Sequence, residues 1–100
     1  MLPYRIESSP NVEDHFRILN ARQRKAILDA VDRQLVPQPT VETRNRKPMC
    51  PNPVAPWELR IGSLRVYYDV EDSPECKVSV RAVGVKQRDL VRIGKEVIQL

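Results

Sequence analysis

The sequence predicts an α+β domain in which an N-terminal strand and a helical hairpin pack on one face of an antiparallel sheet. Two observations support this class. Apolar residues recur at helical spacing before residue 36, and they alternate with polar residues from Trp57 onward. Helices and strands that are segregated along a chain in this way favour an α+β fold. A length of 100 residues corresponds to one domain, so we expect a single unit over residues 1–100.

The first third of the chain predicts one strand and two helices. The alternating residues 3–7 are typical of a short strand. Ser9 followed by Pro10 predicts an N-cap with proline at the first helical position. Asn20 predicts the cap of the second helix, with Gln23 three residues later in a capping-box arrangement. The apolar stripe of this second helix is predicted at Ile27, Leu28, Val31 and Leu35.

Residues 37–56 form a proline-rich segment without periodicity, in which six of the nine prolines of the chain lie. A structureless segment of this length inside a compact domain is unusual and often functional. Its centre is basic, with Arg44, Arg46 and Lys47 within four positions. We expect a loop that brings these side chains toward a functional surface.

The second half of the chain alternates as strands do. Leu59 and Ile61 share the apolar side with Trp57, and Gly62-Ser63 separates this strand from the next. In the later segment KVSVRAV, alternation assigns Val78, Val80 and Ala82 to the core side and Lys77, Ser79, Arg81 and Val83 to the opposite side. Gly94-Lys95 predicts a small terminal hairpin with a two-residue loop.

The polar face of the predicted sheet is rich in arginine. A two-residue loop at Gly62-Ser63 sets Arg60 directly opposite Arg65, an arrangement of like charges that is destabilising. Such a face fits a phosphate backbone, because arginine binds phosphate through two parallel hydrogen bonds and tyrosine can stack on an unpaired base. A solvated surface in which Arg60 pairs with Asp69 or Glu58 fits the same pattern. The residues predicted to contact RNA are Arg44, Arg46, Lys47, Tyr67, Arg81 and Arg88.

The usual catalytic sets are missing from the sequence. It contains no Ser-His-Asp or Cys-His candidate and no phosphate-binding glycine loop, and the single histidine, His15, is expected at the surface. Cys50 and Cys76 are far apart and are expected to be free thiols, so we predict neither a metal nor a small-molecule cofactor. Chemistry would have to use arginine, lysine and tyrosine. One reaction of this kind is the attack of an RNA 2′-hydroxyl on its own phosphate, with arginine stabilising the developing charge.

Charge and hydropathy limit the partners and the location. The net charge of +4 favours a polyanion or an acidic protein partner. No apolar run approaches the roughly 20 residues of a membrane span, and Arg5 and Glu7 argue against a secretory signal. We therefore expect a cytoplasmic protein with no membrane partner.

The stretch WELRIGSLRVYYDVED, followed by KVSVRAVGVKQRDL, resembles the RelE/ParE toxin superfamily of bacterial type II toxin–antitoxin modules. The resemblance extends over nearly the whole chain and implies a single RelE-like toxin domain. RelE-like members are endoribonucleases that cut mRNA on the ribosome without a metal and are neutralised by a cognate antitoxin. The resemblance implies that Arg65 holds the scissile phosphate, with Lys86 and Arg60 as the further catalytic residues.

Two departures from the family pattern keep an alternative open. Glu58 stands at a strand position that is basic in the best-known member, and the segment DLVRI offers no match for the C-terminal tyrosine of the family's acid–base chemistry. ParE-like members share the fold, act on DNA gyrase and need no such site. The alternative is therefore a gyrase inhibitor or a catalytically weakened module that binds an antitoxin.

Overall fold

The computed structural model describes residues 3–100 and shows helices followed by strands, after one strand at the start. The second helix continues as a π-helical turn, Val31–Leu35. In chain order the elements are β1 (Arg5–Ser8), α1 (Val12–Arg17), α2 (Ala21–Ala30), β2 (Arg46–Pro48), β3 (Trp57–Ile61), β4 (Leu64–Glu71), β5 (Lys77–Gln87), β6 (Leu90–Ile93) and β7 (Glu96–Gln99). The α+β class predicted from the sequence is confirmed.

Within residues 3–100, seven strands form one sheet, six of them in the order β2-β3-β4-β5-β6-β7. These six strands are antiparallel, and β1 pairs in parallel with the first part of β5. The second part of β5, from Gly84, pairs with β6 along the same edge. The long strand β5 therefore has two partners on one edge, with a gap between them that α1 covers.

The helices follow the predicted caps in one case and not in the other. The capping box of α2 is confirmed, because the Gln23 backbone N–H donates to Oδ1 of Asn20 at 2.7 Å and the Asn20 N–H donates back to Oε1 of Gln23 at 3.0 Å. The predicted N-cap at Ser9 is wrong. The helix begins at Val12, after a turn in which the Val12 N–H donates to the Ser9 carbonyl. The predicted apolar stripe is wrong at Leu28, which is 60% exposed, whereas Ile27, Val31 and Leu35 are buried.

A β-bulge in β5 changes which residues face the helices. Tyr68 pairs with Val80 and Tyr67 pairs with Ala82, so Arg81 is an extra residue in this strand. The alternation reverses beyond this point. Val83 enters the helix-side core and Ala82 lies on the other face, which corrects the sequence assignment of both residues. A strict alternation of residues between the two faces does not predict this bulge.

The sheet buries apolar residues on both faces, though unequally. The main core lies between the helices and one face, and includes Leu59, Val66 and Tyr68. A smaller cluster on the other face joins Tyr67, Ala82, Val91 and Ile93 to Ala55, with Met49, Val54 and Ile98 at its margin. The predicted open face is therefore partly covered.

The proline-rich segment supplies that cover and is more ordered than predicted. Its residues 46–48 form strand β2 at the edge of the sheet. Beyond β2 the side chain of Asn52 organises the turn: it accepts from the N–H groups of Val54 and Ala55 and donates to the carbonyls of Cys50 and Ala55. The Met49 N–H donates to the Pro56 carbonyl and closes the loop. The prediction of a structureless segment is thus wrong over these residues.

In the part of the chain that the structure describes, no helix is both long enough and apolar enough to cross a bilayer.

Candidate functional site

The two arginines that the sequence placed face to face do pair across the β3–β4 hairpin. Ile61 pairs with Leu64 and Arg60 with Arg65, so Gly62 and Ser63 form the predicted two-residue loop. Gly62 has a φ of +58°, a left-handed conformation that glycine adopts without steric cost. The loop residue therefore fixes the register, and the register fixes the arginine pair.

Glu58 lies between these two arginines. Its Oε1 accepts a hydrogen bond from Nε of Arg60 at 2.7 Å, and its Oε2 lies 3.9 Å from Nε of Arg65. The carboxylate is largely buried, whereas the Arg60 side chain is about half exposed. One carboxylate thus offsets the repulsion between two guanidinium groups, and water screens this interaction least on the side of the buried Arg65.

Arg65 is only 8% exposed and is fixed by the turn beside it. Its Nη1 donates to the carbonyl oxygens of Gly62 at 2.7 Å and Leu64 at 2.8 Å. Its Nε is buried and has no hydrogen-bond partner among the described residues 3–100. The guanidinium group is therefore preorganised by the hairpin, and its buried Nε donor is unused.

Lys86 lies on the same face as the arginine pair because of the β5 bulge. Arg65 pairs with Gly84, and Lys86 follows two residues later, opposite Val91 of the loop-side cluster. The Lys86 backbone N–H donates to the Ser63 carbonyl at 2.8 Å, so this strand and Arg65 meet at the same hairpin turn. The Lys86 side chain is exposed. The three predicted catalytic residues, Arg60, Arg65 and Lys86, thus share one face near one turn.

Tyr67 corrects the prediction of a stacking platform. Its side chain is fully buried under the loop-side cluster, so its ring cannot meet a nucleic-acid base. Burial raises the pKa of its hydroxyl, and the Glu58 carboxylate directly opposite on β3 adds to this effect. The hydroxyl is protonated at neutral pH. It has no hydrogen-bond partner within the described part of the chain.

The three basic residues of the proline-rich segment lie in different environments. Arg46 is buried: its Nε donates to the Val41 carbonyl at 2.8 Å and its Nη1 to the Gln34 carbonyl at 3.0 Å. It joins the loop to the end of the helical hairpin and cannot reach RNA, which corrects that prediction. Arg44 is exposed. Lys47 lies opposite Glu58 on the sheet, with its Nζ 3.5 Å from Oε2 of Glu42.

The two remaining predicted contacts lie on β5 and in the turn that follows it. Arg81, the extra residue of the bulge, is exposed and lies 3.3 Å from a carboxylate oxygen of Asp69. Arg88 is in the turn between β5 and β6 and has a φ of +59°, which side-chain-bearing residues adopt rarely. Both are available to solvent, and neither lies in the row formed by Arg60, Arg65 and Gly84.

His15 is the residue whose environment the sequence prediction missed. It is 9% exposed, and its Nδ1 accepts the N–H of Val83 at 3.3 Å, in the gap between β1 and β6. Burial lowers its pKa, and the carboxylates of Asp14 and Glu96 oppose this effect. The helical spacing indicates this burial, since His15 lies three residues after Val12 and four before Leu19, and both of these are buried.

The chemistry available at this face is the binding of anions. In the described residues 3–100, no group of three histidine, cysteine, aspartate or glutamate side chains could hold a metal ion. Arg60, Arg65 and Lys86 offer positive charge, preorganised by strands, to an oxyanion that develops charge during a reaction. Glu58 and Tyr67, which pair with each other on the same face, add a carboxylate acceptor and a hydroxyl donor.

Neither a protein-family model nor a curated protein sequence matches the chain.

Proposed function

We propose that this protein is the toxin of a bacterial type II toxin–antitoxin module, a metal-independent endoribonuclease that cuts mRNA on the ribosome and so inhibits translation. The observation that carries the proposal is the convergence of Arg60, Arg65 and Lys86 on one face at the Gly62-Ser63 turn. The resemblance of the hairpin to RelE-like toxins supports the same reading. The proposed partners are mRNA on the ribosome and a cognate antitoxin.

In this proposal the chain's residues stabilise charge on phosphorus. The 2′-hydroxyl of RNA gives up its proton to solvent water and attacks the adjacent phosphate, the bond from phosphorus to the 5′-oxygen breaks, and the 5′-oxygen takes up a proton. A 2′,3′-cyclic phosphate and a 5′-hydroxyl result. Arg60 and Arg65 hold the phosphate oxygens while negative charge develops. Lys86, exposed on the same face, stabilises or protonates the leaving oxygen. The ribosome would orient the mRNA for this attack.

A second candidate, a gyrase inhibitor or an antitoxin-binding module without nuclease activity, is favoured by one observation. Glu58 is bound to Arg60 and lies close to Arg65, so the positive charge of the pair is already partly neutralised within the protein. A surface of this kind needs no catalysis to bind an acidic protein segment. The two candidates differ in whether transcripts are cut.

The deciding experiment is induced expression in a bacterial host, followed by mapping of transcript ends. We expect translation to stop and new mRNA ends to appear within translated regions. Arg65→Ala should lower cleavage by about 10²- to 10³-fold, the usual loss when one charge-stabilising donor is removed from an active site. Loss of growth with DNA-damage signalling and intact mRNA, or no toxicity, would support the second candidate instead.

Lys86→Ala and Arg92→Ala provide a matched pair for this test. Both residues are exposed and lie on the neighbouring strands β5 and β6. Lys86 shares the face of Arg65, whereas Arg92 pairs with Val85 and lies on the helix side. Cleavage should decrease for Lys86→Ala and remain unchanged for Arg92→Ala. Equal cleavage by wild type, Arg65→Ala and Lys86→Ala would contradict the nuclease assignment.

A further inference from the structure

Glu58 occupies the position in which an anion that bridges Arg60 and Arg65 would bind. Each of its carboxylate oxygens faces the Nε of a different arginine, at 2.7 Å for Arg60 and 3.9 Å for Arg65. The side chain is largely buried, so it is held in this place rather than free in solvent. A carboxylate in this position competes with any incoming anion for the same two donors.

The carboxylate fills this position incompletely. Nε of Arg65 and the hydroxyl of Tyr67 are buried and unpartnered within residues 3–100, and Tyr67 lies directly opposite Glu58 in the sheet. Buried donors in native proteins almost always have acceptors. Two unused donors around one carboxylate indicate a site suited to a group with more acceptor oxygens. A phosphodiester, with its two non-bridging and two ester oxygens, is such a group.

We propose that Glu58 is an internal competitor for the phosphate site, and that a phosphodiester group of RNA binds there by displacing its carboxylate from Arg60 and Arg65. The identity of the anion as RNA rests on the proposed function; the competition rests on the geometry of Glu58. Entry of the phosphate, with displacement of the Glu58 carboxylate, gives Arg65 Nε the acceptor that it lacks. Glu58 thereby determines specificity, because it keeps out small carboxylates while a chain of phosphates gains additional contacts at Lys86 and Lys47.

The same position would also suit a proton acceptor for the 2′-hydroxyl, and the two roles predict opposite results. A competitor hinders binding, so its neutralisation tightens the complex. A proton acceptor takes part in the reaction, so its neutralisation abolishes cleavage and leaves binding unchanged. Glu58→Gln separates them, since glutamine keeps the shape of the side chain and removes its charge.

The experiment measures the affinity of purified wild type, Glu58→Gln and Asp69→Asn for a fluorescent single-stranded RNA with 2′-O-methyl groups, which cannot be cleaved. Asp69→Asn is the matched control, because Asp69 also pairs with an arginine, Arg81, and its loss changes the net charge equally. We expect Glu58→Gln to bind about tenfold more tightly, as removal of one unit charge close to the phosphate implies. Asp69→Asn should change the affinity by about twofold or less, since exposed and distant charges are screened.

The binding and cleavage results together decide the role of Glu58. Unchanged binding by Glu58→Gln, or equal gains in both variants, overturns the competitor role. Tighter binding without any mRNA cleavage by wild type or variant supports the competitor role and refutes the nuclease function. Cleavage by wild type that Glu58→Gln abolishes at unchanged affinity makes Glu58 a proton acceptor instead.

A measurement on the wild type covers the case in which Glu58→Gln does not fold. Pyrophosphate is added while the Nε–H resonances of the arginines are followed by nuclear magnetic resonance. We expect saturable shifts at Arg60 and Arg65, and none at Arg81, which Asp69 holds elsewhere. Unshifted Arg60 and Arg65 resonances overturn the proposal.

Discussion

Tyr67 and Tyr68 are adjacent, both fully buried, and they show how differently the two faces of the sheet are built. Tyr68 points into the helix-side core, and its hydroxyl donates to the Pro39 carbonyl at 2.6 Å. Tyr67 points to the arginine face, where its hydroxyl has no partner in the described chain. The helix side satisfies its polar groups and supplies stability. The arginine face keeps unused donors and a buried charge cluster, which is typical of a binding site.

The largest difference between the faces should appear when apolar side chains are shortened. Leu59 is fully buried on the helix side, so Leu59→Ala should lower the free energy of unfolding by about 3 kcal/mol. Val54 is half-buried over the arginine face, so Val54→Ala should lower the free energy of unfolding by about 1 kcal/mol or less. Urea unfolding measures both. Leu28→Ala is the control, expected within about 0.5 kcal/mol because Leu28 is exposed; equal losses at Leu59 and Val54 would contradict the comparison.

The next effect concerns the attachment of the loop that covers the arginine face. Arg46→Ala should destabilise the protein by about 2 kcal/mol, since it leaves the carbonyls of Val41 and Gln34 without their buried charged donor. Arg44→Ala, two positions earlier and exposed, should change stability by less than about 0.5 kcal/mol. Thermal unfolding compares the two. If both variants unfold at the wild-type temperature, Arg46 does not attach the loop.

The two tyrosines test whether a buried hydroxyl that donates a hydrogen bond stabilises the protein more than one that does not. Tyr68→Phe should cost about 1 kcal/mol, because it leaves the buried Pro39 carbonyl without its donor. Tyr67→Phe should be neutral or slightly stabilising, since it removes a buried hydroxyl that has no partner in the described chain. Chemical denaturation of both variants gives the difference. A substantial loss for Tyr67→Phe would show that its hydroxyl is already bonded in solution.

The smallest expected effect is a pH dependence of stability at His15, which lies beside β5 in the gap between β1 and β6. His15 must be neutral to accept the Val83 N–H, and burial lowers its pKa below the value of about 6.5 that it has in the unfolded chain. The unfolded state therefore binds the proton more readily, and stability decreases as the pH falls from about 7.5 to about 5.5, across that unfolded pKa. Unfolding measured over this range should show the loss.

His15→Asn is the control for that titration. An asparagine oxygen can accept the same N–H and does not titrate, so the pH dependence should flatten. The charged groups that share the cleft beside His15 are Asp14, Arg17, Arg81, Lys95 and Glu96. An unchanged slope in His15→Asn would assign the pH dependence to these groups rather than to His15.

Local patterns in the sequence were sufficient for several features. The capping box at Asn20, the strand from Trp57 and the Gly62-Ser63 hairpin depend on residues within a few positions of one another. The hairpin loop alone sets Arg60 against Arg65, because a two-residue connection allows one register. Glu58 was recognised as a neighbour that could neutralise the pair, and the structure confirms that contact with Arg60.

Other features depend on contacts between distant parts of the chain. Tyr67 and Arg46 look like solvent-facing residues in the sequence, and both are buried because the proline-rich segment folds over the sheet and attaches to the helices. His15 is buried because β1 and β6 leave a gap on the same edge of β5. None of these contacts leaves a periodic signal in the sequence.

Propensity, capping and hairpin length act locally, so the sequence alone predicts the α+β class and the arginine pair, but not strand β2 within the proline-rich segment. Which face of the sheet each later residue of β5 occupies depends instead on the β-bulge in that strand. One extra residue, Arg81, reverses the alternation there and brings Lys86 to the side of Arg65. A bulge is set by how two strands and their cover pack together, so the composition of the candidate site was fixed only when the sheet was assembled.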